Sequence, residues 1–369
     1  MESLHIQEKL RCNGLDATVK ELLLKVSTDT YGLVQLNYTV DSPKSPAACE
    51  CRGLIIDSGK DWEVVAFPFY RFFNEHEGHA AAVDLSRATL QEKLDGSLMI
   101  LYWHPYLNNW QVATRGKILA DGQVNQNNIT FASLFWSLWR QSLVHGSLLQ
   151  ENTVYMFELV SPLNRVVKRY TEPGLYLIGA RDNGVEYTAA GLLSLANQLG
   201  VHRPKTYSFE SKDDIFRLIG ELDATDEGFV LVDYTSDAPS FPRIKVKNPR
   251  YLALAQLVGA GTEQSITRKL VRLIRSGDID ELISYFPEYT VDAKRIRAQI
   301  DKLAADIDAT YYAIENLKHK RKLFAAQALT TPYSHALFQM ADDRVLSGAE
   351  YLAQLPEDKL AEWLTGDKS

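Results

Sequence analysis

Lys93 stands in the string Glu92-Lys93-Leu94-Asp95-Gly96-Ser97, just ahead of a β-like run. A lysine at a strand boundary, followed by a glycine turn, can present its amine to the floor of a pocket. The chemistry suited to it there is nucleophilic attack, but an ammonium with a pKa near ~10.4 does not attack at neutral pH. Neighbouring cations and a metal ion would have to depress that pKa. Alone, the string is more simply read as a turn carrying a solvated lysine. Other sets exclude other chemistries. In His76-Glu77-Gly78-His79 the histidines are three apart, whereas the His-Glu-x-x-His zinc pattern needs four. Gly259-Ala260-Gly261-Thr262 lacks the Gly-Lys-Ser/Thr that completes a P-loop, and there is no Gly-x-Ser-x-Gly elbow. Cys12, Cys49 and Cys51 make neither a zinc site nor a disulfide framework. Cys49 and Cys51, two apart in what reads as a strand entry, should point the same way as reduced structural thiols.

The elements that must position Lys93 come in two textures. Up to about residue 251, short β-like runs alternate with turn signals. Runs 54–57 and 62–67 flank Ser58-Gly59-Lys60-Asp61 as a hairpin, and runs 98–103 and 110–114 flank a second turn at 104–109. Further strands are expected at 153–159, 175–180, 228–233 and 243–246, with helices at 131–143, 191–199 and 212–222. Connections this short do not allow repeated helical crossovers, so the fold class is α+β with antiparallel sheets.

From residue 252 the strand signals nearly vanish. Ile266, Leu270, Leu273 and Ile274 recur at helical spacing, and Ile296, Ile300, Leu303, Ile307, Tyr311, Ile314 and Leu317 step by four and three along one long helix. Thr290 is the expected N-cap, with Asp292 in the first turn. Shorter helices follow at 334–340, 347–355 and 358–364. The chain therefore divides into an α+β domain, 1–250, and an all-α domain, 251–369. Arg268, Arg272 and Arg275 line one helix face as a candidate RNA-phosphate surface. Lys318-His319-Lys320-Arg321-Lys322 reads as a solvated end complementing the long helix's dipole.

A hydrophobic content of 46%, with 24% charged residues, provides an ordinary globular core. The net charge of -7 argues against non-specific coating of nucleic acid but leaves room for a local basic groove. No apolar run approaches the ~20 residues of a membrane span, and the N-terminus lacks the apolar core of a signal peptide. No membrane partner is expected, and the compartment should be the cytoplasm.

Four short motifs occur in a meaningful order. Lys93-x-Asp-Gly-Ser resembles the adenylylation motif of the covalent nucleotidyltransferases, the ligases and mRNA capping enzymes. Phe157-Glu158-Leu159-Val160-Ser161-Pro162, with Asn164-Arg165-Val166-Val167, resembles that superfamily's third motif. Asp226-Glu227-Gly228-Phe229-Val230 resembles the fourth, and Ile244-Lys245-Val246-Lys247 the fifth. Cys51-Arg52-Gly53-Leu54 and Phe69-Tyr70-Arg71-Phe72-Phe73-Asn74-Glu75 narrow the resemblance to the RNA ligase 1 family, typified by the tRNA-repair ligase of T-even phages. The likeness is dense from Tyr38 to Lys247. Arg71 departs from it, since the family more usually has lysine before Phe-Phe-Asn; an arginine would grip a phosphate bidentately.

The resemblance implies an N-terminal adenylyltransferase domain, a nucleotidyltransferase related to ATP-grasp-like ligases, followed by a helical domain. Lys93 would be the nucleophile that takes AMP from ATP. Lys245 and Lys247 share one strand face and would neutralise the α-phosphate and help keep Lys93 unprotonated. Glu158 and Glu227 would face Mg²⁺ (or Mn²⁺) or the ribose. Arg52 and Arg71 would hold the β- and γ-phosphates, with Arg115 or Lys117 as further phosphate contacts. Gly96 would border the nucleotide, and Phe73 and Tyr176 would pack on it. The implied substrate is RNA, above all cleaved tRNA, joined by a monomeric enzyme that could be phage-encoded and act in a host cytoplasm. A capping guanylyltransferase or DNA ligase is the alternative, although either would carry an OB-fold of short strands where this chain carries helices. A non-catalytic RNA-binding module of the same fold is the other alternative, but it would be free to lose residues that are all present here.

Overall fold

Helix α1 (His5–Leu22) opens the chain. It is followed by strands β1 (Leu24–Thr28) and β2 (Leu33–Tyr38), helix α2 (Pro46–Glu50), and the hairpin of β3 (Arg52–Asp57) and β4 (Glu63–Ala66). The computed structural model describes residues 3–125, 128–141, 148–235, 240–258, 263–276, 279, 282–283 and 286–365. Strands β1 to β4 form one antiparallel sheet in that order. One face of it packs on α1 and α2 through Leu10, Leu36, Leu54 and Ile56. The other face sends Leu33, Ile55 and Ala66 towards a second sheet.

That second sheet, in the order β10-β9-β8-β6-β7, contains β6 (Ser97–His104), β7 (Asn109–Thr114), β8 (Thr153–Val160), β9 (Gly174–Asp182) and β10 (Val185–Glu186). Its far face is covered by α3 (Phe131–Gln141) and α4 (Ala189–Leu199) through Phe135, Trp139, Leu192 and Leu199. A third sheet joins β11 (Thr206–Tyr207), β5 (Thr89–Glu92), β12 (Gly228–Val232) and β13 (Arg243–Lys247) in that order. Helix α5 (Lys212–Glu221) covers one side of it with Ile215 and Ile219. All the named strand pairs are antiparallel.

Period-2 alternation in the third sheet decides what faces the open side. Leu90, Phe229, Leu231, Ile244 and Val246 point into the core against α5. Gln91, Val230 and Lys245 are aligned across the sheet and point the other way, with Arg243 and Lys247 on either side of Lys245. Three cations are thus set in a row on one strand face.

The chain divides into two compact units, Met1–Leu252 and Ala253–Ser369, with α6 (Pro249–Val258) running across the boundary. The second unit contains α7 (Glu263–Ser276), α8 (Thr290–Ile314), α9 (Arg321–Ala328), α10 (Ser334–Ala341), α11 (Gly348–Gln354) and α12 (Glu357–Thr365), and no strand among its described residues. Its core is built on Ile296, Ile307, Phe324, Leu337 and Leu352. The glycine pattern at 259–262 lies outside the described residues. Among the described residues no helix is long and apolar enough to cross a membrane.

Several local expectations are corrected. Cys49 lies in helix α2 and Cys51 caps it, so they are not strand neighbours; Pro46 at the first helical position starts a helix there instead. Thr290 is already helical (φ −57°, ψ −43°), because a 3₁₀ turn at Pro287–Tyr289 runs straight into α8. The basic run does start at the end of the long helix, where Lys318 caps its final 3₁₀ turn, Glu315–Leu317, but it is not simply solvated. Lys318 pairs with Asp343 and Arg321, the first residue of α9, with Asp342. The arginine stripe on α7 is engaged within its own unit. Arg268 pairs with Asp358, Arg272 with Glu357, and Arg275 donates to the Leu352 and Leu355 carbonyls. These contacts tie α7 to the α11–α12 segment rather than leaving a free phosphate surface.

Candidate active site

Lys93 follows directly on β5, and its backbone N–H donates to the Gly228 carbonyl at 2.9 Å. Gly228 has φ +127°, and a Cβ there would lie 2.2 Å from the Val246 carbonyl oxygen. Only glycine lets β12 start this close to β13. The residue before it, Glu227, is thereby held beside two lysines. Its Oε2 lies 2.5 Å from Lys93 Nζ, and its Oε1 lies 3.0 Å from Lys247 Nζ.

Asp95 and Gly96 fix the turn after the lysine. The buried Asp95 carboxylate accepts from the Val167 and Lys168 N–H groups at 2.8 and 2.7 Å and from the Tyr251 hydroxyl at 2.6 Å. Burial pushes its pKa up against these hydrogen bonds. A Cβ at Gly96 would sit 2.4 Å from the Leu159 carbonyl oxygen. The absence of a side chain lets the Gly96 N–H reach Glu158 Oε1 at 3.2 Å. Lys168 itself bridges Asp226 at 2.5 Å and Glu92 at 3.6 Å, joining the flanks of the lysine and Glu227 segments.

Lys93, Glu158 and Arg52 line one cavity together with Phe69, Phe72, Ile178, Val230 and Arg243. Enclosure raises the Glu158 pKa to about 7, with Glu227 adding to the rise and Lys93 and Arg52 opposing it. Enclosure likewise lowers Lys245 to about 7, helped by Arg52, Lys93 and Lys247. Lys245 Nζ rests 4.7 Å from the centre of the Phe72 ring, and the Arg52 guanidinium 4.9 Å from it. Burial also pulls the Arg52 guanidinium below its ordinary value, and its Nε is buried without a hydrogen-bond partner. A cavity that crowds cations and leaves such a donor orphaned fits a phosphate-bearing ligand.

The expected residues do not all meet there. Phe73 lies off the cavity and lines a separate groove with Arg71 and His79. Its carbonyl accepts from Lys245 N at 3.0 Å, so this segment runs along β13 and adjacent side chains point opposite ways. Phe72 faces the cavity instead. Tyr176 is in register with Glu158, but its ring packs on His202 at 5.3 Å; Ile178, two residues on, lines the cavity. Arg71 and Arg115 line a neighbouring groove, and Lys117 is exposed on the turn after β7. Tyr38 links the arginines. Its ring lies 4.3 Å from the Arg71 guanidinium and 4.4 Å from that of Arg115, and its hydroxyl acts electrostatically on Arg52.

A metal ion would find Glu158 available, whereas both oxygens of Glu227 are taken by lysines. Among the described residues no group of three or more His, Cys, Asp or Glu could hold a metal. Mg²⁺ keeps several waters and takes phosphate oxygens beside one or two carboxylates, a role the Glu158 carboxylate fits. Sequence reasoning missed Tyr251, Lys168 and Phe72. The aromatic pair around Phe72 was visible, but its parity was not.

Comparison with known proteins points to one family. The model of a family described as RNA ligase matches residues 50–251. The RNA ligase of Rhodothermus phage RM378 is 27% identical over 346 residues, covering 76% of this chain and 78% of the relative. A solved archaeal ATP-dependent RNA ligase superposes with a TM-score of 0.50 at 15% identity, over 82% of this chain and 83% of the other. At that identity the likeness concerns the fold.

Proposed function

The chain belongs to the RNA ligase family, and from that premise we propose that Lys93 takes AMP from ATP and hands it to an RNA end. The observation that carries this reading is Glu227 held between Lys93 and Lys247, beside the cation-rich cavity that Lys93 lines. In the first step the Lys93 amine attacks the α-phosphorus of ATP. The N–P bond forms, the bond to the bridging oxygen breaks, and pyrophosphate leaves with the electron pair. The lysine's proton passes to solvent by way of Glu227, whose oxygen is 2.5 Å away. Lys245 and Lys247 offset the charge gathering on the phosphate, and Arg52 meets the triphosphate with its free Nε. Beyond it, Arg71 and Arg115 are reached through Tyr38. Phe72, Ile178 and Val230 offer the apolar wall for the base. A bound Mg²⁺ or Mn²⁺, held by Glu158, would neutralise phosphate oxygens. Gly96, through its N–H, keeps that carboxylate in line.

AMP then moves to an RNA 5′-phosphate, and a 3′-hydroxyl attacks the activated end and expels AMP. Both are transfers dominated by positioning and electrostatics. Cleaved tRNA is the substrate we infer, in a cytoplasm that could be a phage host's, as the phage relative supports. All the catalytic groups come from one unit of one chain, so a monomer suffices.

The test is direct. Incubate the protein with a divalent cation and ATP or GTP labelled at the α-phosphate, denature it, and look for label on the chain. Label from ATP that disappears in Lys93→Ala is expected. Absence of label from either nucleotide, or label from GTP alone, overturns the reading.

A further inference from the structure

Two carboxylates flank the contact between Lys93 and Glu227, each one residue ahead of it in the chain. Glu92 precedes Lys93, and Asp226 precedes Glu227. Glu92 stands opposite Phe229 in the third sheet, so strand alternation turns it away from Gln91 and Val230. There it meets Lys168, whose Nζ lies 3.6 Å from Glu92 Oε1 and 2.5 Å from Asp226 Oδ1. Among the described residues neither carboxylate pairs with another cation. Lys168 is fastened at its backbone too. Its N–H donates to Asp95 Oδ2 at 2.7 Å, and its ammonium rests 5.5 Å from the centre of the Tyr170 ring. Burial works against its charge, yet Asp226 and Glu92 outweigh burial and hold its pKa above the ordinary lysine value.

On the reading of Lys93 as the nucleophile that takes AMP, we propose that Lys168 is a positioning residue for this step. By neutralising Glu92 and Asp226 at once, it keeps Lys93 and Glu227 in contact. Both ion pairs span one seam. At that seam β5 ends and β12 begins, and the Lys93 N–H donates to the Gly228 carbonyl at 2.9 Å. Without the ammonium, Glu92 and Asp226 become unpaired like charges on either side of it. Asp223, whose N–H donates to Asp226 Oδ2 at 3.1 Å, adds a third carboxylate close by. Unpaired like charges repel, and the relief open to them is to spread β5 from the turn that carries Asp226. Lys93 and Glu227 move with their chain neighbours, and a misplacement of about 1 Å costs on the order of 100-fold in rate. Lys168 is not among the residues that line the Lys93 cavity, so ATP binding is spared while the chemical step slows. Partly exposed ion pairs of this kind add little to stability, so the loss falls on rate rather than on folding.

The test follows labelling of the full-length protein by ATP labelled at the α-phosphate, over a range of ATP concentrations. Lys168→Met is expected to lower the maximal rate of self-adenylylation by about 100-fold. Its half-saturating ATP concentration should stay within about twofold of the wild type, and its urea midpoint close to it. Lys168→Arg keeps the charge and is expected to retain most of the rate. Adding Glu92→Gln and Asp226→Asn to Lys168→Met removes the carboxylates that the ammonium serves, and should recover at least about tenfold. A lysine needed only for packing would leave this triple variant as slow as Lys168→Met, and that result overturns the proposal. So does a wild-type rate in Lys168→Met, a loss that appears only as weaker ATP binding, or an arginine variant as slow as the methionine one. Should Lys168→Met not fold, the triple variant decides alone: a maximal rate more than about tenfold below the wild type overturns the proposal. If ATP leaves the wild type unlabelled, the ligase reading falls and takes the role of Lys168 with it. If the wild type is labelled, the variants judge Lys168 by itself.

Discussion

Glu158 and Lys245 are held in surroundings that penalise their charged forms, and this has a measurable cost. The Glu158 pKa rises from 4.5 to about 7 on folding. Below pH 4.5 it is protonated in both states and costs nothing. Between 4.5 and 7 the unfolded chain releases its proton first, so stability falls as pH rises, and above 7 the loss is complete. A rise of that size corresponds to at most about 3 kcal/mol. Glu158→Gln is therefore expected to be more stable than the wild type at pH 8, by up to about 3 kcal/mol, and equal to it at pH 4, as read from urea midpoints. Its self-adenylylation should fall by about 100-fold. Lys245 behaves oppositely: its pKa drops from 10.5 to about 7, so its cost grows as pH falls from 10.5 to 7. A second prediction concerns Tyr251, whose hydroxyl donates to buried Asp95. Tyr251→Phe leaves that oxygen short of a donor, at a cost of about 1–3 kcal/mol in thermal or urea unfolding. Lys93, Glu158, Glu227, Lys245 and Lys247 could be singled out in the sequence because their motifs are local strings. Tyr251 could not, because its partner lies 156 positions away and no spacing rule joins them.

At the scale of elements, the site depends on close approaches between backbones. Gly96→Ala would drive a methyl to 2.4 Å from the Leu159 carbonyl, a backbone atom with no slack. The turn must shift, carrying the Gly96 N–H away from Glu158. We expect a loss of about 1–3 kcal/mol from this overpacking, with a larger loss in labelling rate than the stability change alone produces. Parallel urea melts and labelling time courses check it. Alternating strands were readable from the sequence, so the hairpins around 58–61 and 104–109 and the runs of β8, β9, β12 and β13 were expected. Helix α1 was not. Gly14, with φ +74°, interrupts it, and its apolar residues are too sparse to show a clear period. Phe73 was preferred over Phe72 for want of strand parity, which is set only once residues 73–75 run beside Lys245.

At the scale of the molecule, the Lys93 cavity and its supports all lie within Met1–Leu252. A chain ending at residue 258 keeps Tyr251 and should therefore still be labelled by ATP, within about threefold of the full-length rate by our reading of a self-contained domain; gel autoradiography of the two side by side checks this. The sequence by itself determined the reaction class, because the lysine, the two glutamates and the lysine pair are short strings in a fixed order. It also determined the change from strands to helices near residue 251, because hydrophobic period is a local property. Only the tertiary structure decided which cations share the cavity. Arg71 was expected beside Arg52 on the β- and γ-phosphates and Arg115 as a further phosphate contact, yet both line a different groove, and Arg268, Arg272 and Arg275 are bound to α12 and its approach. A charge's partners depend on which elements pack together, and a one-dimensional pattern carries no record of that.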